Sequence, residues 1–186
     1  MLTAGVDEVG RGSLAGDVVA AAVILDPKKA INGLADSKKL SKRNREELDQ
    51  EIKKTALCFA IAKASVKEID SINILQASLL AMTRAVQKLN IEPELVLVDG
   101  NHLPLWNYSA KSVVRGDTKV PEIAAASIIA KVSRDAEMMQ MDLVFPGYDF
   151  FRNKGYPTKV HLKALKESGP CTIHRRSFGP VSRLLK

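Results

Sequence analysis

The sequence predicts an α/β protein, a central mixed β-sheet flanked by helices. Two observations point there: strand-like apolar runs first follow one another and later alternate with helical stretches, and the chain of 186 residues shows no repeat, low-complexity tract or long linker. With 46% hydrophobic residues it fits one domain covering residues 1–186, within the usual ~100–200 residues per domain. Leu2–Val6, Val18–Leu25 and Leu57–Ala62 read as strands, the second following the first as a hairpin through the Gly12–Gly16 turn. Ser41 is placed to cap a helix over Lys42–Lys54, where Leu48 and Ile52 make an i, i+4 apolar stripe. Asn73 opens a longer amphipathic helix through Leu89, and Pro93 ends the linker after it. Leu95-Val96-Leu97-Val98 reads as a fully buried central strand closed by Asp99-Gly100. A further strand, Lys111–Arg115, ends at Gly116-Asp117, and Pro121 starts an Ala-rich helix over Glu122–Phe145.

Lys and Arg number 28 against 21 Asp and Glu, a net charge of +7 with a pI of about 9.4, which points toward a polyanionic partner. The two cysteines, Cys58 and Cys171, have neither zinc spacing nor a disulfide framework, so a reducing, cytoplasmic setting is the simpler expectation. The N-terminus reaches Asp7 too soon for the apolar region of a signal peptide, and no apolar stretch approaches the ~18 residues of a membrane span.

Acids recur where strands stop: Asp7-Glu8, Asp99 and Asp117. Strand ends lying side by side gather such groups at one sheet edge, and hard carboxylate oxygens without His or Cys at ligand spacing select Mg²⁺ or Mn²⁺ over zinc. Two such ions would activate water and stabilise the leaving oxygen in phosphodiester hydrolysis. Asp-Gly and Gly-Asp are also ordinary turn signals, and for Asp99 or Asp117 taken singly that reading suffices. Asp7-Glu8 is harder to explain away, because it precedes Gly10-Arg11-Gly12, a turn that lets another molecule approach the backbone. Gly10-x-Gly12-x-x-Ala15 also satisfies a dinucleotide-binding fingerprint, but Val18–Leu25 reads as a strand where that motif needs a helix.

Six motifs in order, Asp7-Glu8-x-Gly10-Arg11-Gly12, Asp36-Ser37-Lys38-Lys39-Leu40, Asp99-Gly100, Gly116-Asp117, Ala124–Asp135 and Gly155-Tyr156-Pro157-Thr158, resemble type 2 ribonuclease H (ribonuclease HII) over nearly the whole chain. The resemblance implies a ribonuclease H-like fold with a C-terminal helical portion walling the substrate groove. It also implies a metal-binding set of Asp7, Glu8, Asp99 and Asp117 holding two divalent ions. By the same resemblance, Gly10, Arg11 and Gly12 recognise the ribonucleotide 2′-hydroxyl through backbone groups, and Tyr156 stacks on the next sugar. The implied substrate is an RNA–DNA hybrid or a DNA duplex containing ribonucleotides, cut on the 5′ side of the ribonucleotide to leave 3′-hydroxyl and 5′-phosphate ends. A monomer is implied too.

Lys38-Lys39, Lys42-Arg43, Arg45, Lys159 and Arg175-Arg176 are candidate phosphate contacts, with Lys38 and Lys39 favoured because they lie in a family-matching loop. His102, His161 and His174 share no ligand spacing and are read as surface or hydrogen-bonded histidines. Asp135, four residues after Lys131, is explained by a helical ion pair, and the aromatics of Phe145–Phe151 by anchoring a loop. The rival readings are a ribonuclease HIII, a family that usually carries an extra N-terminal domain and a glutamate as its fourth acid, and a noncatalytic duplex-binding module. Asp117 in the fourth position argues against the first, and four intact acids against the second.

Overall fold

The computed structural model describes residues 1–34 and 40–185. Strand β1 (Thr3–Val9) turns back through β2 (Val18–Ile24), and after α1 (Lys42–Thr55) comes β3 (Cys58–Ala64). Then follow α2 (Val66–Gln87), β4 (Leu95–Asp99), β5 (Ala110–Val113), a 3-10 turn at Gly116–Thr118, and α3 (Pro121–Val144). Three shorter helices, α4 (Phe150–Asn153), α5 (Lys159–Ser168) and α6 (Gly179–Ser182), form the C-terminal portion. The sheet order is β3-β2-β1-β4-β5. The hairpin strands β1 and β2, and β2 with β3 beyond α1, pair antiparallel, whereas β1–β4 and β4–β5, reached by crossovers, pair parallel. The mixed sheet is the one the sequence predicts.

Beyond Val6, where the apolar pattern stops, β1 runs on to Val9, because Asp7, Glu8 and Val9 pair with Ala21, Ala20 and Val19. Both acids therefore sit on the last rungs of a ladder rather than past its end. At the other edge β5 starts at Ala110 and stops at Val113, short of the Arg115 end that the sequence predicts, because Arg115 turns into the left-handed region with φ of 56°. In β4 only Val96 and Val98 are fully buried, because α3 lies chiefly across β1 and β2. Gly5 makes that crossing possible, since a Cβ there would lie 2.1 Å from the Glu122 backbone carbon.

Ser41 caps α1 as its position predicts, accepting a hydrogen bond from the Asn44 N–H at 3.2 Å. Helix α2 begins earlier than the Asn73 start, with a Ser65–Glu68 capping box, and breaks at Asn73 (φ 68°, ψ 166°). The Asn73 carboxamide then accepts from the Gln76 N–H and restarts the helix. One face of the sheet buries Ala4, Val6, Val18, Ala20, Ala22 and Ile24 against α2, and the other sets Ala21 and Val23 against Ala124–Ala126, Ile128 and Ile129. In the C-terminal portion Tyr148 and Phe150 stack with centroids 5.3 Å apart and anchor their loop as the aromatic density predicts. No described helix is long and apolar enough to cross a membrane.

Candidate active site

Parallel pairing sets Val6 opposite Val98, so the next residue on each strand is a carboxylate: Asp7 on β1 and Asp99 on β4. Asp7 is 6% exposed. Burial, then the charges of Glu8 and Asp99, hold its carboxyl well above the usual range; the Ser127 hydroxyl and the Glu8 N–H, 2.7 Å away, work against that rise. Burial also pushes Glu8 up, opposed by the Arg11 guanidinium at 3.3 Å and reinforced by Asp99. The second Glu8 oxygen, Oε2, is buried without a hydrogen-bond partner among the described residues. Asp99 accepts the Gly116 N–H at 2.6 Å, which ties the Gly116–Thr118 turn, and with it the buried Asp117, to the end of β4.

Asp7 and Glu8, both raised by burial and by the charge of Asp99, together with an orphaned carboxylate oxygen make the environment that a hard divalent cation relieves. Among the described residues no three His, Cys, Asp or Glu side chains already stand as a ready-made ion cage. The donor chemistry fits such an ion, with Asp7, Glu8 and Asp99 as the residues that would hold it and Asp117 in the adjoining turn.

After β1 the chain turns at Gly10, whose φ of 93° and contact with Arg134 leave no room for a side chain: a Cβ would lie 2.2 Å from the guanidinium Nε. Gly12 is exposed, and a Cβ there would sit 3.8 Å from Tyr156 Cε1, so the glycine turn and Tyr156 are neighbours across 144 residues of sequence. Arg134 and Lys131 flank the Tyr156 ring at 5.7 and 6.0 Å from its centroid. Arg11 is exposed and reaches back to Glu8. Burial lowers the Lys154 ammonium, Asp135 opposes the fall, and Lys42 and Lys131 add to it, which places three lysines and Asp135 around one corner of the surface. Lys38 and Lys39 lie outside the described residues.

Arg175 departs from its reading as a phosphate contact: it is 0% exposed and donates to the Gly16 and Arg11 carbonyls at 2.9 and 3.0 Å. Arg176 beside it is exposed. His161 and His174 are buried and bonded to each other at 3.0 Å, while His102 is exposed. Lys131 and Asp135 form the predicted ion pair at 2.8 Å. Sequence reasoning missed Ser127 and Arg134, although both lie inside the Ala124–Asp135 motif; their spacing of seven residues, two turns of α3, was the available signal.

The sequence model of the ribonuclease HII family matches residues 4–181. The chain belongs to the ribonuclease HII family. Ribonuclease H2 from Pyrococcus horikoshii OT3 is 26% identical over 99% of this chain and 97% of its own, with a TM-score of 0.79. The RNase HII of Archaeoglobus fulgidus, solved in complex with PCNA, is 27% identical over 94% of each chain, with a TM-score of 0.81. Bst-RNase HIII, solved with Mn²⁺, is 18% identical over all of this chain and 69% of its own; at a TM-score of 0.73 it shares the fold. The ribonuclease HII chain described here is accordingly a ribonuclease H, a hydrolase with nuclease activity.

Proposed function

We propose that this enzyme hydrolyses the RNA strand of RNA–DNA hybrids and cuts on the 5′ side of ribonucleotides embedded in duplex DNA, leaving 3′-hydroxyl and 5′-phosphate ends. The observation that carries the proposal is the adjacency of Asp7 and Asp99 at the ends of parallel strands, with Glu8 beside them and an unsatisfied carboxylate oxygen between burial and charge. Asp7, Glu8 and Asp99 hold divalent ions, and Asp117 completes the set from its turn. When bound, two Mg²⁺ or Mn²⁺ ions lower the cost of deprotonating the attacking water and neutralise the 3′-oxygen as it leaves. Mn²⁺ in Bst-RNase HIII supports that choice of ion.

The protein's own part is positional. Asp7 is fixed by the Glu8 N–H and Asp99 by the Gly116 N–H, so neither carboxylate has to reorganise when the phosphate arrives. Gly10, Arg11 and Gly12 present backbone to the ribose carrying the scissile phosphate, and Tyr156 stacks on the following sugar and helps sense the junction. Lys42, Lys131 and Lys154, with Lys38 and Lys39, hold the backbone of the duplex without reading its bases. The whole chain, residues 1–186, acts as one catalytic unit, as a monomer, in ribonucleotide removal from DNA.

The test is a DNA duplex carrying one ribonucleotide, incubated with divalent metal omitted and restored. Cleavage 5′ to the ribonucleotide only in the presence of the ion supports the reading. Cleavage confined to long hybrids would remove the junction-sensing role of Gly10, Gly12 and Tyr156, and metal-independent cleavage would remove the role of the acids.

A further inference from the structure

The hairpin turn between β1 and β2 is held from behind by two guanidiniums that never reach the solvent. Arg134, 1% exposed on α3, donates from Nε to the Asp17 carbonyl at 3.1 Å, from Nη1 to the Lys154 carbonyl at 2.9 Å, and from Nη2 to Ser13 Oγ and the Ala15 carbonyl at 2.8 and 3.0 Å. Arg175, from the C-terminal portion, takes the Gly16 carbonyl with Nε and the Arg11 carbonyl with Nη1. Backbone bonds complete the frame: Leu14 N–H to the Gly155 carbonyl, Gly16 N–H to the Ile173 carbonyl and Arg175 N–H to the Leu14 carbonyl, all between 2.8 and 2.9 Å.

One of these bonds fixes a direction. The Arg11 carbonyl and the Gly12 N–H belong to the same peptide unit, and no peptide bond among the described residues is cis. In a trans peptide the two groups point opposite ways. Arg175 draws the Arg11 carbonyl inward, so the Gly12 N–H points outward, at an exposed residue whose missing side chain faces Tyr156. Among the described residues the Arg11 and Gly12 N–H groups have no hydrogen-bond partner, while the neighbouring N–H groups of Ser13 and Leu14 are both used. The turn thus spends its carbonyls on buried cations and keeps two adjacent donors free on its open side.

We infer that Arg175 is a positioning residue for ribose selection: by holding the Arg11 carbonyl it aims the Gly12 N–H at the 2′-oxygen of the ribonucleotide, and Arg134 holds the rest of the turn in register. This rests on the proposed recognition of an embedded ribonucleotide. A hydroxyl oxygen can accept from that N–H, and a deoxyribose offers nothing in its place. Lysine cannot substitute, because its single point charge does not span the Gly16 and Arg11 carbonyls as the planar fork does.

The experiment measures binding, without divalent ion, of a duplex carrying one ribonucleotide and of the all-DNA duplex of the same sequence, for the wild type and Arg175→Lys. The ratio of the two affinities cancels any loss of folded protein. The expected result is a ratio reduced by about tenfold, with the all-DNA affinity and its salt dependence unchanged. A variant ratio equal to that of the wild type overturns the inference, and so does a salt slope smaller by about one in the uncharged Arg175→Gln, which would make Arg175 a phosphate contact. If Arg175→Lys does not fold, the uncharged Arg175→Gln is read by the same ratio. A wild type that shows no preference and does not cut the single-ribonucleotide duplex when metal is added fails the proposed function instead, so the two failures are told apart.

Discussion

Asp7 and Glu8 close β1, and the turn over residues 10–17 begins two residues later, yet the two are held in opposite ways. The acids are crowded by their own kind: burial and like charge raise both carboxyls, and one oxygen of Glu8 has no partner among the described residues. The turn is the reverse: Arg134, Arg175 and the Arg175 N–H collect its carbonyls, and its Leu14 and Gly16 N–H groups donate to the Gly155 and Ile173 carbonyls. A strained, under-bonded region beside an over-bonded one is what a site needs when charge must be supplied by something that arrives while shape must be ready beforehand. On the proposed function, the first region stores unfavourable electrostatics that a cation would release, and the second holds geometry that a substrate would read.

Breaking the first region has the largest effect. Asp7→Asn or Asp99→Asn is expected to lower kcat by at least about 10³-fold, ~4 kcal/mol of barrier, with duplex binding largely retained; turnover of the single-ribonucleotide duplex measures it, and near-normal rates would sink the role of the acids. Stability moves the other way. A carboxyl whose proton affinity is raised on folding favours the native state only while it is protonated, and that contribution is lost as pH rises from about 3.9 through its folded value. At neutral pH, Asp7→Asn therefore raises the Tm of the metal-free protein, by about 2–4 °C for each kcal/mol of repulsion removed. A lower Tm would show that Asp7 is not under electrostatic strain.

Breaking the second region costs stability first. Arg134→Met takes the buried donor from the Asp17 and Ala15 carbonyls and the Ser13 hydroxyl, and leaves the Lys154 carbonyl only its bond from Ser13 at 3.2 Å, a loss of about 3–5 kcal/mol. Denaturant unfolding of the metal-free protein measures it, and a loss below ~1 kcal/mol would mean that the turn is held by its backbone bonds alone.

The first region was far more legible in the sequence than the second. Asp7, Glu8, Asp99 and Asp117 stand out because acids recur where strands stop, and the sequence predicts a mixed sheet whose strand ends gather at one edge, although not that β1 pairs with β4. Even there the run of apolar residues misplaced the strand end, since Ala20 and Ala21 offer ladder partners that hydrophobicity alone does not reveal. Arg134 and Arg175 were illegible for a physical reason: arginine is read as surface, and the partners that make burial tolerable are carbonyls, which every residue carries. Nothing local distinguishes Arg175 from exposed Arg176, and only the fold, by bringing residues 11–16 against 173–175, does so.

A third region sharpens the contrast, because it is satisfied without charge. Cys171 N–H donates to His174 Nδ1 at 3.0 Å, and His161 Nδ1 meets the Tyr156 carbonyl at 2.9 Å, so His161 must donate there and His174 must supply the hydrogen between the two Nε2 atoms. Both rings are neutral. Burial, then the neighbouring His161, lowers the His174 pKa from 6.5 to about 4. A base with its folded value depressed binds its proton later in the native state than in the unfolded one, so stability is complete above about 6.5 and falls as pH drops toward 4. The loss approaches roughly 2–3 kcal/mol. Tm against pH for the wild type and His174→Gln tests this, and an identical acid slope in both would show that the pair does not titrate as a unit.

The smallest effect separates the two adjacent arginines. Arg176 is exposed, and its backbone N–H donates to Asp70 at 3.0 Å, which leaves its guanidinium free of any part in the turn. If it touches the duplex at all, it touches phosphate, and a phosphate contact weakens every duplex alike. Arg176→Ala is therefore expected to lower affinity a few-fold, equally for ribonucleotide-containing and all-DNA duplexes, and to reduce the slope of log affinity against log salt by about one. Arg175→Gln should do the converse, altering the ratio and sparing the slope although it too removes a charge. Were both variants to change the slope and neither the ratio, the turn would be one more basic surface, and selection of the ribose would have to come from Tyr156 alone.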